Sequence, residues 1–213
     1  MKEKVRKWFF ISIVLIFAGI NFSYASEQKG GEVEMPRLDG MKILMIIAAG
    51  NFRDEEFLEP KGIFEKQGAK VVIASTTLKK VKGMLGATVM PDILIEKAKV
   101  EDYQAIIFVG GTGASQYWND PLAHKIVKEA IKQGKILGAI CIAPVTLANA
   151  GVLEGKKATV FESDKAELKA KGALYTGLDV QIDGNIITAD GPTSATKFGE
   201  TIVRALADLA TKN

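Results

Sequence analysis

The chain has 213 residues but only one cysteine and one histidine, and each shortage excludes a class of chemistry. A single cysteine forms no internal disulfide, so the fold rests on core packing alone. One cysteine and one histidine do not make a Cys/His metal cluster, and HExxH and CxxC spacings are missing. No metal and no cofactor is therefore expected. Charge of one sign is also lacking. Residues 1–25 carry Lys2, Lys4, Arg6 and Lys7 against Glu3, and setting them aside turns totals of 28 basic and 25 acidic side chains into 24 and 24. With no basic block, nucleic acid is not an expected partner, because phosphates demand a clustered Lys/Arg face.

Long apolar runs are scarce as well. The run from Trp8 to Ile20 has 13 residues, short of the roughly 20 that span a bilayer. A basic start precedes it and Ser23-Tyr24-Ala25 follows, with small residues at the two positions a signal peptidase reads. Residues 1–25 are thus expected to be a signal peptide cleaved after Ala25, which makes the protein exported, periplasmic or secreted, with no membrane span left after cleavage. Anchoring by residues 8–22 is the alternative. Residues 26–40, with Gly30-Gly31, four acids and Pro36, show no apolar period and read as a flexible leader. Residues 41–213 form the domain, long enough for one well-buried core and too short for two.

From Met41 onward, short β-branched runs alternate with amphipathic stretches, the pattern of βαβ units on a parallel sheet covered on both faces. Strands are expected at Lys42–Ala48, Lys70–Ser75, Ala105–Val109, Lys135–Ile140 and Ala158–Phe161. Helices are expected at Asp54–Gln67, Pro121–Gln133 and Ala143–Ala150, each stopped by the glycine that follows, and at Thr193–Thr211. Lys80–Met90 reads as a hairpin. Val180–Ala189 reads as another, with Asp183-Gly184 as a type I′ turn signal.

Three strand-to-loop edges carry the candidate chemistry. In Gly138-Ala139-Ile140-Cys141-Ile142-Ala143-Pro144 a buried strand runs into a helix with Cys141 at the junction, a nucleophile-elbow arrangement. The helix dipole there favours a depressed thiol pKa. A small core hydrophobe is the equal alternative from this segment alone. Arg53-Asp54-Glu55-Glu56 opens the first helix at the carboxyl edge of the sheet, where open α/β sheets bind ligands. Acids are favoured in a first helical turn regardless of function, so nothing local separates Glu56 from Asp54, Glu55 or Glu59. Gly110 and Gly111 allow backbone N–H groups close to a ligand, as an oxyanion hole requires, but lack the spacing of a nucleotide loop. His124, early in a surface helix, reads as solvated rather than catalytic.

Together these segments resemble the ThiJ/PfpI superfamily, which includes the Parkinson-disease protein, archaeal PfpI-type peptidases, glyoxalase III enzymes and stress chaperones. Ala139-Ile140-Cys141-Ile142-Ala143-Pro144 matches the family's Ala-X-Cys-X-(Ala/Gly)-Pro, and Glu56-Phe57-Leu58-Glu59-Pro60 matches its Glu-X-X-X-Pro. The resemblance spans about Met41 to Ala210. It implies an α/β, flavodoxin-like three-layer sandwich of the class I glutamine-amidotransferase-like kind, with a mostly parallel sheet, helices on both faces and a cysteine nucleophile elbow. It also implies Cys141 as nucleophile, Glu56 as its acid partner, the N–H groups of Gly111 and Ile142 as oxyanion donors beside Gly110, and a homodimer. The chain departs from the family at the histidine: Ile142 and Phe161 stand where relatives carry one.

That departure ranks the functions. Amide hydrolysis must protonate a poor leaving amine, usually with a histidine, which disfavours a PfpI-type cysteine peptidase. A small carbonyl substrate needs only thiolate attack and a proton shuttle, so a glyoxalase III or deglycase-like enzyme is expected. A non-enzymatic oxidation sensor or holdase using the same cysteine is the alternative.

Overall fold

The computed structural model describes residues 34–211, so the expected signal segment and most of the leader lie outside the described residues. In chain order, the elements begin with β1 (Lys42–Ile46), α1 (Asp54–Lys66) and β2 (Lys70–Ser75). β3 (Val81–Lys82), β4 (Thr88–Val89) and β5 (Ile93–Leu94) follow, then β6 (Ala105–Phe108), α2 (Pro121–Lys132), β7 (Ile136–Ile140) and α3 (Pro144–Asn149). The chain continues through β8 (Lys157–Ala158), α4 (Lys165–Ala170), β9 (Leu174–Tyr175), β10 (Val180–Asp183) and β11 (Ile186–Ala189) to α5 (Ala195–Ala210).

Seven strands form the main sheet in the order β10-β11-β7-β6-β1-β2-β5, all parallel except for β10, which pairs antiparallel with β11. β6 and β7 are buried along their whole length, as strands covered on both faces must be. The period of two divides the core cleanly. Leu44, Ile46, Ile106 and Phe108 face α2 and α3, whereas Ile43, Met45 and Ile107 face α1 and α5. This is the expected three-layer α/β sandwich. On the α1/α5 side the helices approach closely, because Gly199 on α5 meets Pro60 on α1, where a Cβ would lie 3.0 Å from the Pro60 Cα.

Three expectations change. The ordered domain begins before Met41: Leu38 is fully buried and its N–H donates to the Gln67 carbonyl at 2.7 Å, although Arg37, Asp39 and Gly40 around it are exposed. Ala158–Phe161 is not a strand of the main sheet. β11, buried at all four positions, takes the place beside β7, while the N–H of Thr159 donates to Thr188 Oγ1 (2.9 Å) and that of Phe161 to the Cys141 carbonyl (2.9 Å). The segment thus closes the end of the sheet instead of extending it. The turn between β10 and β11 is Gly184-Asn185, since Asp183 pairs with Ile186, and only Gly184 has a positive φ (59°). A type I′ turn needs positive φ at both central residues, so this hairpin uses the glycine-first pattern of type II′. The Lys80–Met90 hairpin forms as β3 and β4. Among the described residues no helix is long and apolar enough to cross a membrane.

Candidate active site

Cys141 sits directly after β7 with φ 63°, one of two non-glycine residues at positive φ among those described. Such strain persists only where the surroundings fix it. Here the Cys141 N–H donates to the Ala189 carbonyl at 2.9 Å, and its carbonyl accepts from Phe161 N–H at 2.9 Å. Trp118 Nε1–H adds a bond to the Ile142 carbonyl at 3.1 Å, just past the turn. Trp118 is therefore a brace of the elbow. The carbonyl of Trp118 in turn accepts from His124 Nε2–H (2.8 Å) and Asn149 Nδ2 (3.0 Å), so His124 is spent on packing and lies away from the cysteine's own contacts.

Each acid of the first helical turn has a separate occupation. Asp54 is buried and accepts from the N–H groups of Leu85 (2.8 Å) and Ala87 (2.7 Å), which ties the β3–β4 hairpin to α1. Glu55 holds Arg53 through Nε (2.8 Å) and Nη2 (3.0 Å). Glu59 accepts from Thr196 Oγ1 at 2.6 Å. Only Glu56 points at the cysteine. It is fully buried, and neither carboxyl oxygen has a well-formed hydrogen bond. Burial pushes Glu56 up to about 8, opposed by the Cys141 thiol and the Arg53 cation.

The thiol does not have the depressed pKa expected of an elbow cysteine. Burial, then the neighbouring Glu56 charge, push Cys141 up to about 12, against the pull of the Gly111 and Ile142 backbone N–H groups. The reason is visible in the fold: α3 is only six residues long, too short for its dipole to outweigh desolvation. At neutral pH the pair is a thiol beside a carboxylic acid.

Gly110 shows why glycine stands there. A Cβ on it would lie 2.6 Å from both the Cys141 Cβ and the Ile140 carbonyl oxygen, and would strike the Glu56 carboxyl. Gly111, at φ 92°, has no room either, with Asn51 O at 2.5 Å from the added atom. The structure thus brings Cys141, Glu56, Gly110, Gly111 and Ile142 together as expected. Cys141, Glu56, Gly111 and Ile142 open on a cleft of about 320 Å³ that Arg53, Met84, Thr112, Phe161, Ser163, Asp164 and Pro192 also line. Sequence reasoning missed Arg53 as a wall of the site, although a lone cation among four acids at the sheet edge was the available signal. Met84 gives no such signal, because its hairpin is carried over the cleft by long-range ties: the Asp54 clamp, the Met84 N–H to the Phe52 carbonyl (2.9 Å) and the Asn51 N–H to the Lys82 carbonyl (2.8 Å).

Residues 41–205 match the family model described as the DJ-1/PfpI family. An uncharacterized protein of Methanocaldococcus jannaschii is 45% identical over 168 residues, covering 78% of this chain and 82% of that one. A deglycase of Thermococcus kodakarensis is 30% identical, covering 71% of this chain and 91% of its own. Among solved structures, a ThiJ/PfpI domain protein from Brachyspira murdochii superposes with a TM-score of 0.77 at 33% identity, over 78% of this chain and 96% of that one.

Proposed function

Since the chain belongs to the DJ-1/PfpI family, we propose that it is a cysteine-dependent enzyme acting on reactive small carbonyls, of the glyoxalase or deglycase sort. The observation that carries this reading is the buried pair itself: a thiol and one carboxyl group of raised pKa facing each other, with no imidazole among their neighbours. A deglycase relative supports it.

The chemistry follows from the donors present. Ionised Glu56 takes the thiol proton as Cys141 Sγ adds to the aldehyde carbon of a 2-oxoaldehyde. The N–H groups of Gly111 and Ile142 hold the oxyanion until Glu56 returns that proton to it. Glu56 then removes the hydrogen on the former aldehyde carbon and delivers it to the adjacent carbonyl carbon, while the hydroxyl proton passes from the first oxygen to the second, which leaves a 2-hydroxy thioester. Water cleaves the thioester, releasing the hydroxy acid and the thiol. A peptidase lacks its proton donor here, because the ring nitrogen of His124 is already engaged by the Trp118 carbonyl. An oxidation sensor is served by an exposed, acidic thiol, and Cys141 is neither.

The test is hydroxy-acid formation from methylglyoxal. Cys141→Ala should abolish it, and Glu56→Gln should slow it by about a hundredfold, the scale of a lost general acid–base. Production that persists in Cys141→Ala overturns the reading, as does casein hydrolysis that vanishes with Cys141.

A further inference from the structure

The cleft is larger than the smallest dicarbonyls require, and its one cation is placed to read the rest of the substrate. Methylglyoxal has five heavy atoms, whereas the hollow holds about 320 Å³. The unused space is bounded by Arg53 together with the apolar surfaces of Met84, Phe161 and Pro192. Arg53 is fixed at both ends. Its backbone N–H donates to the Gly110 carbonyl at 3.0 Å, and its guanidinium is forked onto Glu55 through Nε and Nη2.

The fork has a direction. Arg53 lines the cleft and Glu55 does not, so the positive end of the pair faces the substrate space and the negative end lies behind it. Nε and one N–H of Nη2 serve Glu55, which leaves the second N–H of Nη2 and the neighbouring N–H of Nη1, a parallel pair at the end of the guanidinium, without a partner among the described residues. The field at the reacting pair agrees with this geometry: on Glu56 the Arg53 charge acts more strongly than the opposing Glu55 charge. One wall residue carries the opposite sign. Asp164 also lines the cleft, with its Oδ2 accepting from Ser163 Oγ at 2.7 Å.

We propose that the preferred substrates are 2-oxoaldehydes bearing a carboxylate on the chain beyond the two carbonyls, and that Arg53 is the residue that selects them. This inference rests on the carbonyl reading of the Cys141–Glu56 pair. A preorganised guanidinium with two free, parallel donors suits a planar carboxylate, and a neutral wall of Met84, Phe161 and Pro192 suits the methylenes between. The reaction is unchanged in its balance: the aldehyde carbon becomes a carboxylate, the neighbouring carbonyl becomes a secondary alcohol, one water is consumed, and the distal carboxylate is carried through untouched. A two-methylene linker gives 4,5-dioxopentanoate as the probe and 2-hydroxyglutarate as its product.

The experiment compares kcat/KM for 4,5-dioxopentanoate and for methylglyoxal in the wild type, Arg53→Lys, Arg53→Met and the charge-neutral double variant Arg53→Met with Glu55→Gln. The double variant separates loss of the guanidinium from exposure of an unpaired Glu55. The expected result is a wild-type preference for the carboxylate substrate. That preference should fall by roughly tenfold to a hundredfold in both Met variants, the scale of a charge-assisted hydrogen bond, mostly through KM, with partial recovery in Arg53→Lys. Product protection supplies a second measurement that needs no turnover: 2-hydroxyglutarate should slow alkylation of Cys141 by iodoacetamide in the wild type and not in Arg53→Met. Turnover of methylglyoxal with no preference for the carboxylate, or a preference that survives in both Met variants, overturns the inference and leaves the carbonyl reading standing. Protection without any turnover removes the carbonyl reading and keeps Arg53 as a carboxylate-binding residue. Neither turnover nor protection removes both.

Discussion

Glu56 and Cys141 share one buried space that Gly110 leaves open; the Glu56 charge raises the proton affinity of the thiol, while the thiol lowers that of the carboxyl group against the larger effect of burial. A carboxylate beside the sulfur makes the thiolate costly, and the desolvation that surrounds both groups favours their neutral forms. On the proposed reading the pair hands on a single proton and keeps no standing thiolate.

A pH–rate profile reads this directly. Glu56 acts as a base only when ionised, and burial places that ionisation at about 8. Turnover of methylglyoxal should rise about tenfold per pH unit below 8 and level off above it. Glu56→Gln should lose the limb along with most of the rate. A limb near 4.5, the ordinary value for this carboxyl group, would show that the side chain is solvated in the working enzyme.

Stability carries the same signature with a defined sign. Folded Glu56 keeps its proton up to about 8, while the unfolded chain releases it near 4.5. Between those values the folded state binds more protons than the unfolded state, so stability falls as pH rises through the window and then becomes constant. Urea midpoints measured from pH 4 to pH 9 should show wild type losing ground to Glu56→Gln as pH increases. A difference that stays flat would refute the raised pKa.

How much of this was legible in the sequence depends on the range of the forces involved. The apolar runs of β1, β6 and β7 and the glycine stops of α1 and α2 are local signals, and they marked the sheet and its flanking helices to within a residue or two. Cys141, Glu56, Gly110 and Gly111 were found because each occupies a strand-to-loop edge matching a motif of the family. What failed was long-range. Val160 and Phe161 look like strand residues, yet β11 competes for the same edge of β7 and wins with four buried side chains. Leu38 stands in a short stretch with no apolar period, and only its burial in the fold shows that it belongs to the core. The thiol pKa went astray for a related reason, since desolvation is a property of everything packed around the sulfur and the dipole is a property of one short helix.

Gly110→Ala tests the shared space. The added Cβ would lie 2.6 Å from the Cys141 Cβ and from the Ile140 carbonyl oxygen, both fixed by the sheet, so the loop must shift. Overpacking of this kind costs about 1–3 kcal/mol. The variant should lose turnover and alter the alkylation rate of Cys141 while keeping its far-ultraviolet circular dichroism. Wild-type activity in Gly110→Ala would mean that the loop is free to move and that the close fit has no catalytic role.

Asp54 governs the site from outside it. Its buried carboxylate accepts two backbone N–H groups, from Leu85 at 2.8 Å and Ala87 at 2.7 Å, and so fastens the β3–β4 hairpin whose Met84 lines the cleft. Bonds to a charged acceptor contribute about 1.5–3 kcal/mol each, and an amide left unpaired in a buried place loses its hydration as well. Asp54→Ala should therefore cost about 3 kcal/mol in urea unfolding, with amide exchange at Leu85 and Ala87 accelerated more than in the sheet. Asp54→Asn keeps one acceptor oxygen and should recover roughly half of the loss. Because the hairpin supplies a wall and not a reacting group, freeing it should raise KM for the carbonyl substrate more than it lowers kcat. Equal loss in both parameters would instead place the hairpin in the chemical step, acting through the position of α1 and hence of Glu56.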